Sequence, residues 1–196
     1  LKPALLELGG KAPFIVLDDA DLEAAARAAS FSSFANSGQI CMSTERLVVD
    51  QRVADAFVAK LAARAAALPL GDPRQGPVVL GSVVGMATVE RCNALIDDAV
   101  AQGATIICGG KADSTLMPAT LLDGVTPAMR IYHEESFGPV KGIVRVNGED
   151  EAIACANDNA FGLSSAVFTR DTARGWRVAA RIEAGICHIN GPTVHD

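Results

Sequence analysis

The apolar residues of this chain change repeatedly between a strand-like and a helix-like spacing. Short segments of strand-like character predict strands at 13–17, 46–50, 105–108, 118–122, 140–146, 165–169 and 185–189. Helical spacing separates most of them, at 21–36, 53–68, 84–102, 149–156 and 172–182. Strands that alternate with helices favour a parallel sheet, because each crossover helix packs on a face of the sheet. We therefore predict an α/β fold with a mostly parallel, twisted sheet and helices on both faces.

The length, composition and charge of the chain exclude several classes of protein. Its 196 residues suffice for one α/β domain, and a hydrophobic content of 49% excludes an intrinsically disordered chain. Lys and Arg number 17 against 23 Asp and Glu, which gives a net charge of −6. Nucleic acids and anionic membranes bind to basic faces, so neither is an expected partner.

Five cysteines are spread along the chain, at positions 41, 92, 108, 155 and 187. An odd number of distant cysteines without a C-x-x-C spacing argues against a disulfide framework and against a zinc site. We therefore predict no bound metal and a reducing, cytoplasmic location.

Two glycines follow a glutamate in the segment Glu7-Leu-Gly-Gly-Lys11, just before the first predicted strand. Adjacent glycines allow the chain to pass close to a ligand or to another segment. The alternative interpretation is an ordinary turn before a strand, and local physics alone favours that alternative.

A thiol ends the segment Phe34-Ala-Asn-Ser-Gly-Gln-Ile-Cys41, on a loop between a predicted helix and a predicted strand. Loops in such positions commonly present nucleophiles to substrates. Because the thiolate is the reactive form, Cys41 would need a base, a dipole or a cation nearby to attack a carbonyl carbon. The alternative is a buried cysteine that acts as a small hydrophobic residue, and the segment in isolation favours it.

Two carboxylates and an aromatic ring precede the predicted strand at 140–146, in the segment Glu134-Glu-Ser-Phe137-Gly-Pro-Val. A carboxylate accepts hydrogen bonds from sugar hydroxyls, and an aromatic ring offers a flat face to a planar heterocycle. The alternative is a solvated acidic turn beside a core phenylalanine.

Taken in order, these three segments resemble signatures of the aldehyde dehydrogenase superfamily. Glu7-Leu-Gly-Gly-Lys is similar to its glutamate signature, and Phe34-x-x-x-Gly-Gln-x-Cys41 is similar to its cysteine signature. Glu135-x-Phe-Gly-Pro resembles its cofactor-facing motif. The segments 159–169 and 185–190 extend the resemblance over essentially the whole chain.

The resemblance implies roles for four residues. Cys41 would attack the aldehyde carbon, and the thiohemiacetal would give a hydride to NAD or NADP, of which NAD is favoured. Glu7 would be the general base that activates water to hydrolyse the thioester. Glu135 would accept hydrogen bonds from the nicotinamide ribose, and Phe137 would lie near the nicotinamide ring.

The resemblance also implies a division of the enzyme into domains. The family's nucleotide-binding domain precedes the glutamate signature, and its oligomerisation segment follows the last predicted strand. Residues 1–196 are therefore expected to form the catalytic domain of a longer enzyme that is a homo-oligomer. We expect this domain alone to bind NAD weakly and to turn over little aldehyde.

An aromatic aldehyde is the expected substrate. The segments 41–46, 130–135 and 188–195 are similar to those of bacterial benzaldehyde, vanillin and salicylaldehyde dehydrogenases. One alternative is a CoA-acylating semialdehyde dehydrogenase, although such enzymes commonly lack a glutamate at the position of Glu7. Two further alternatives are a thiol hydrolase that pairs Cys41 with His133 or His188, and an inert structural or binding domain.

Overall fold

The computed structural model describes residues 2–195, in which seven strands and six α-helices occur. The strands are β1 (Ala12–Val16), β2 (Thr44–Asp50), β3 (Thr105–Cys108), β4 (Thr120–Asp123), β5 (Val140–Val146), β6 (Ser164–Phe168) and β7 (Ile186–Ile189). The helices are α1 (Leu22–Phe34), α2 (Gln51–Ala66), α3 (Met86–Ala101), α4 (Arg130–His133), α5 (Glu149–Asn157) and α6 (Thr172–Ala179). In this part of the chain, no helix combines the length and the apolar character that crossing a membrane requires.

All seven strands form one sheet, in the order β3-β4-β5-β2-β1-β6-β7. Every neighbouring pair is parallel except β3 and β4, which run antiparallel at one edge. The central strands are buried on both faces, which is why β1 is apolar throughout and β2 contains three consecutive apolar residues, 47–49. The prediction of a mostly parallel sheet is confirmed.

Alternate side chains of the central strands enter two separate apolar cores. Phe14 and Leu47 pack on one face of the sheet, against α1 and α2. Their chain neighbours Ile15 and Val48 pack on the other face, against α3, α5 and α6. Both faces are therefore covered by helices, as predicted.

The predicted boundaries lie within three residues of the observed ones for every strand and for the five longer helices. The strands at 105–108 and 140–146 have the predicted bounds. Helix α4 was not predicted, because its four residues are too few to show a helical period.

Each segment that carries a predicted site residue lies just before a strand. Glu7 precedes β1, Cys41 precedes β2, and Glu135 precedes β5. These three strands are neighbours and run parallel, so their amino ends lie at the same edge of the sheet. The fold thus gathers the three segments at the amino edge, opposite the carboxyl edge at which open α/β sheets usually bind ligands.

Candidate active site

A cleft at the amino edge of the sheet brings the four predicted site residues together. Glu7, Cys41, Glu135 and Phe137 all line one hollow of about 780 Å³. These four residues come from three segments that are distant in sequence, and Arg91 of α3 adds to the lining. We call this space the acidic hollow. It contains both a thiol and two carboxylates, the groups that nucleophilic and general-base catalysis require.

A second hollow, also of about 780 Å³, adjoins the first. Glu7 and Cys41 line both hollows, so the two spaces meet at these side chains. Apolar side chains make up most of the remaining lining of this apolar hollow: Leu6, Leu8, Met42, Ala160, Phe161 and Leu163. The thiol thus lies between a space with carboxylates and a space suited to an apolar group.

The loop that carries Cys41 has an uncommon backbone conformation. Residues 36–38, which follow α1, have φ angles of 50°, 57° and 74°. Positive φ is uncommon outside glycine, and here it turns the chain sharply ahead of Cys41. On the other side of the loop, the Thr193 hydroxyl donates a hydrogen bond of 2.7 Å to the carbonyl oxygen of Met42. Cys41 is thereby held half-buried at the cleft and is not sealed inside the core.

The other four cysteines line neither hollow. Cys92 and Cys155 are in the core, and burial raises the pKa of Cys92 to about 11. Cys108 and Cys187 are half-buried on edge strands, and burial raises the pKa of each of these thiols as well. Cys41 is therefore the one described cysteine that lines either hollow.

Gly9 and Gly10 allow the segment with Glu7 to lie against both of the other site segments. The Gly10 N–H donates a hydrogen bond of 2.9 Å to Oε1 of Glu135. A β-carbon at position 9 would overlap the Glu135 carboxylate, and one at position 10 would overlap the carbonyl oxygen of Cys41. The absence of a side chain at both glycines thus allows the backbones of these segments to pack closely together.

Gly10→Ala provides a test of this packing. The added methyl must displace the backbone at Cys41, so we expect a loss of about 1–3 kcal/mol in the free energy of unfolding. Urea denaturation measures that loss. Gly76→Ala is the matched control, because a β-carbon there meets no atom within 4 Å. Equal stability of the two variants would contradict the close approach.

Glu135 and Phe137 reach the cleft through a strained turn. Phe137 has a φ of 45°, which is rare for a bulky side chain and persists where the surrounding structure enforces it. The neighbouring Gly138 packs backbone to backbone against Gly38 of the loop that leads to Cys41. Glu134 forms an exposed ion pair of 2.8 Å with Arg130, which lowers the pKa of its carboxyl. Glu134 is thus a surface charge, whereas Glu135 lines the cleft.

Two kinds of lining residue were not predicted from the sequence. Arg91, on α3, lines the acidic hollow and donates a hydrogen bond of 3.1 Å to the Ser136 carbonyl oxygen. Phe161 and Leu163 line the apolar hollow from the loop before β6. This loop precedes β6, a parallel strand next to β1, so its place at the amino edge could have been predicted from the sequence. No such signal existed for Arg91, because α3 leads to β3, the outermost strand on one side of the sheet.

Among the described residues, no histidine lines either hollow. The exposed His133 lies on α4, with Nε2 at 3.0 Å from the Pro127 carbonyl oxygen. The ring centroids of His188 and His195 are 5.3 Å apart. Within residues 2–195 there is also no group of three or more His, Cys, Asp and Glu placed to hold a metal ion. The charged neighbours of Cys41 in the cleft are therefore carboxylates and Arg91.

Comparison with known proteins shows the family of the chain. The sequence model of the aldehyde dehydrogenase family matches residues 1–196. The chain belongs to this family. It is 60% identical over 196 residues to the vanillin dehydrogenase of Pseudomonas fluorescens, a match that covers 100% of this chain and 41% of that protein. The chain thus spans less than half of the length of this relative.

Two solved structures of the family are similar in fold. The salicylaldehyde dehydrogenase of Pseudomonas putida G7, complexed with salicylaldehyde, matches with a TM-score of 0.96 and 54% identity, covering 98% of this chain and 40% of that one. The NADP-dependent glyceraldehyde-3-phosphate dehydrogenase of Bacillus halodurans C-125, complexed with NADP, matches with a TM-score of 0.93 and 41% identity, covering 97% and 40%. These structures confirm the α/β fold of the family.

Proposed function

We propose that this chain carries the chemical step of an aldehyde dehydrogenase that converts an aldehyde into a carboxylic acid. One observation carries the proposal: Cys41 and Glu7 stand at the boundary between the acidic and the apolar hollow. A nucleophile and a base at such a boundary can act on a substrate in one space while a second ligand occupies the other.

Cys41 acts first in the proposed reaction. Its thiolate sulfur forms a bond to the aldehyde carbon while the carbonyl electron pair moves to oxygen, which gives a thiohemiacetal alkoxide. The backbone N–H of Cys41 donates to that oxygen. Loss of a hydride from the carbon then leaves a thioester on Cys41. A nicotinamide cofactor, when bound, accepts this hydride.

Glu7 acts second. Its carboxylate takes a proton from water, and the resulting hydroxide attacks the acyl carbon. The carbon–sulfur bond breaks, the carboxylic acid leaves, and the Cys41 thiolate is regenerated. The exposed position of Glu7 on the segment before β1 gives it access to water.

The acidic hollow has groups that fit a nicotinamide nucleotide. The half-buried carboxylate of Glu135 can accept hydrogen bonds from ribose hydroxyls, and the Phe137 ring offers an apolar face to a planar ring. Arg91 adds a positive charge at the same wall, which favours a phosphate group. These groups are compatible with NAD and with NADP.

An aromatic aldehyde is the proposed substrate class. The apolar hollow presents Met42, Phe161 and Leu163 beside the thiol, and the relatives named above include vanillin and salicylaldehyde dehydrogenases. We also propose that the reaction takes place in a longer protein with these 196 residues as its catalytic domain, because the relatives extend well beyond the matched region. That protein is expected to be a homo-oligomer, as the family resemblance implies.

Steady-state kinetics of the full-length protein containing this chain test the proposal. Burying an aromatic ring contributes about 2 kcal/mol, so kcat/KM for benzaldehyde or salicylaldehyde should exceed that for acetaldehyde roughly thirtyfold. The product should be the free acid, with or without added CoA. Equal kcat/KM for acetaldehyde would contradict the substrate class, and turnover without NAD or NADP would contradict the reaction itself.

A further inference from the structure

A single buried carboxylate connects the three segments that form the cleft. Glu45, at the start of β2, accepts four hydrogen bonds, two at each oxygen of its carboxylate. Oε1 accepts from Lys141 Nζ at 2.6 Å and from the Ser136 hydroxyl at 2.7 Å. Oε2 accepts from Lys11 Nζ at 3.1 Å and from the Ser136 N–H at 2.8 Å. We call these four residues the Glu45 cluster.

Each partner of Glu45 is close in sequence to a site residue. Lys11 lies four residues after Glu7, Ser136 directly follows Glu135, and Glu45 itself lies four residues after Cys41. Lys11 Nζ also donates a hydrogen bond of 2.6 Å to the carbonyl oxygen of Glu134. The segment before β1 is thereby tied to the segment before β5, with Glu45 between them.

The Glu45 cluster is ionic although it is closed to solvent. All four side chains are buried, with Glu45 at 2% exposure. Burial raises the pKa of Glu45, but Lys141 and Lys11 outweigh burial and lower that pKa to about 2. Burial lowers the pKa of Lys11, against the opposing effect of Glu45. An ionised carboxylate that accepts four hydrogen bonds fixes both the distance and the orientation of its partners. Apolar packing does not fix orientation in this way.

We propose that Glu45 is a positioning residue that sets the placement of Glu7 and Glu135 relative to Cys41. Glu45 does not line either hollow, so it acts through Lys11 and Ser136 and not on substrate or cofactor. The inference rests on the proposed function, because that function gives Glu7, Glu135 and Cys41 their roles. The arrangement of the hydrogen bonds itself does not depend on those roles.

Glu45→Met in the full-length protein tests the proposal, with Lys141→Met as the matched control. Both variants change the buried charge by one unit. Glu45→Met removes the acceptor of Lys11 and Ser136, whereas Lys141→Met keeps the bonds of Glu45 to both of them. We therefore expect the Kd for NADH, measured by calorimetry, to rise about tenfold or more in Glu45→Met and to change less than about threefold in Lys141→Met.

The double variant Glu45→Met/Lys141→Met separates positioning from charge balance. It has the same net charge in the cluster as the wild type, so a purely electrostatic role predicts recovery of the Kd for NADH. Positioning by Glu45 predicts that the Kd stays raised, because a methionine side chain accepts none of these hydrogen bonds, and recovery would overturn the proposal. The double variant also replaces Glu45→Met if the two uncompensated lysines prevent that single variant from folding.

The alkylation rate of Cys41 by iodoacetamide provides a readout that needs no cofactor. We expect this rate to change about threefold or more in the two variants that carry Glu45→Met and to stay near the wild-type value in Lys141→Met. Unchanged alkylation together with unchanged Kd overturns the positioning role while leaving the proposed function intact. If the wild type oxidises no aldehyde, the proposed function fails, and the alkylation rates alone decide whether Glu45 positions the cleft.

Discussion

Cys41→Ser should lower kcat/KM for aldehyde oxidation by roughly 10⁴-fold or more, because the chain then lacks its nucleophile. A serine hydroxyl stays protonated at neutral pH, and no histidine of residues 2–195 lines the hollows to remove its proton. Initial rates of NAD(P)H formation in the full-length protein measure the loss. Binding of NADH should remain close to the wild-type value, because Cys41 is not one of the groups proposed to hold the cofactor.

Cys187→Ser is the matched control for this variant. Cys187 is half-buried like Cys41, but it lies on the edge strand β7 and lines neither hollow. We expect its kcat/KM to stay within about twofold of the wild type. A large loss in Cys187→Ser, or retained oxidation in Cys41→Ser, would contradict the assignment of the nucleophile.

Glu7→Gln should separate the two halves of the reaction. The glutamine amide cannot take a proton from water, so the thioester forms but is not hydrolysed at the normal rate. We expect a burst of one NAD(P)H per active site, followed by steady-state turnover reduced about 10²–10⁴-fold. Stopped-flow absorbance resolves the burst from the slow phase.

Glu134→Gln is the control for a lost carboxylate. Glu134 is exposed and paired with Arg130 at the surface, and its side chain does not line the cleft. Turnover in this variant should match the wild type. If Glu7→Gln also keeps full steady-state turnover, another group activates the water and the role of Glu7 is wrong.

Short-range patterns were enough to predict the strands and the five longer helices, whereas the three site segments were predicted from their combined resemblance to family signatures. Apolar runs such as 13–17 mark strands that are buried on both faces, and the glycines at positions 9 and 10 allow a close backbone approach. The meeting of Glu7, Cys41 and Glu135 also follows from topology, because all three precede parallel strands that are neighbours in the sheet. These features depend on local sequence and on strand direction.

Partners that depend on long-range packing could not be predicted in this way. Glu45, Lys11 and Lys141 appear in the sequence as ordinary charges, and only the pairing of β1, β2 and β5 buries them together. Arg91 reaches the cleft from α3, which is followed by a strand at the distant edge of the sheet. Such contacts have no period or local motif that would indicate them.

Peptide mapping of the acyl intermediate tests the central claim most directly. The Glu7→Gln variant is mixed with salicylaldehyde and NAD, quenched in acid after the burst, digested and examined by mass spectrometry. Our account predicts one salicyloyl group per chain, attached to the peptide that contains Cys41. An acyl group on another residue, or a full burst that leaves the chain unmodified, would contradict the proposal that the Cys41 sulfur captures the aldehyde.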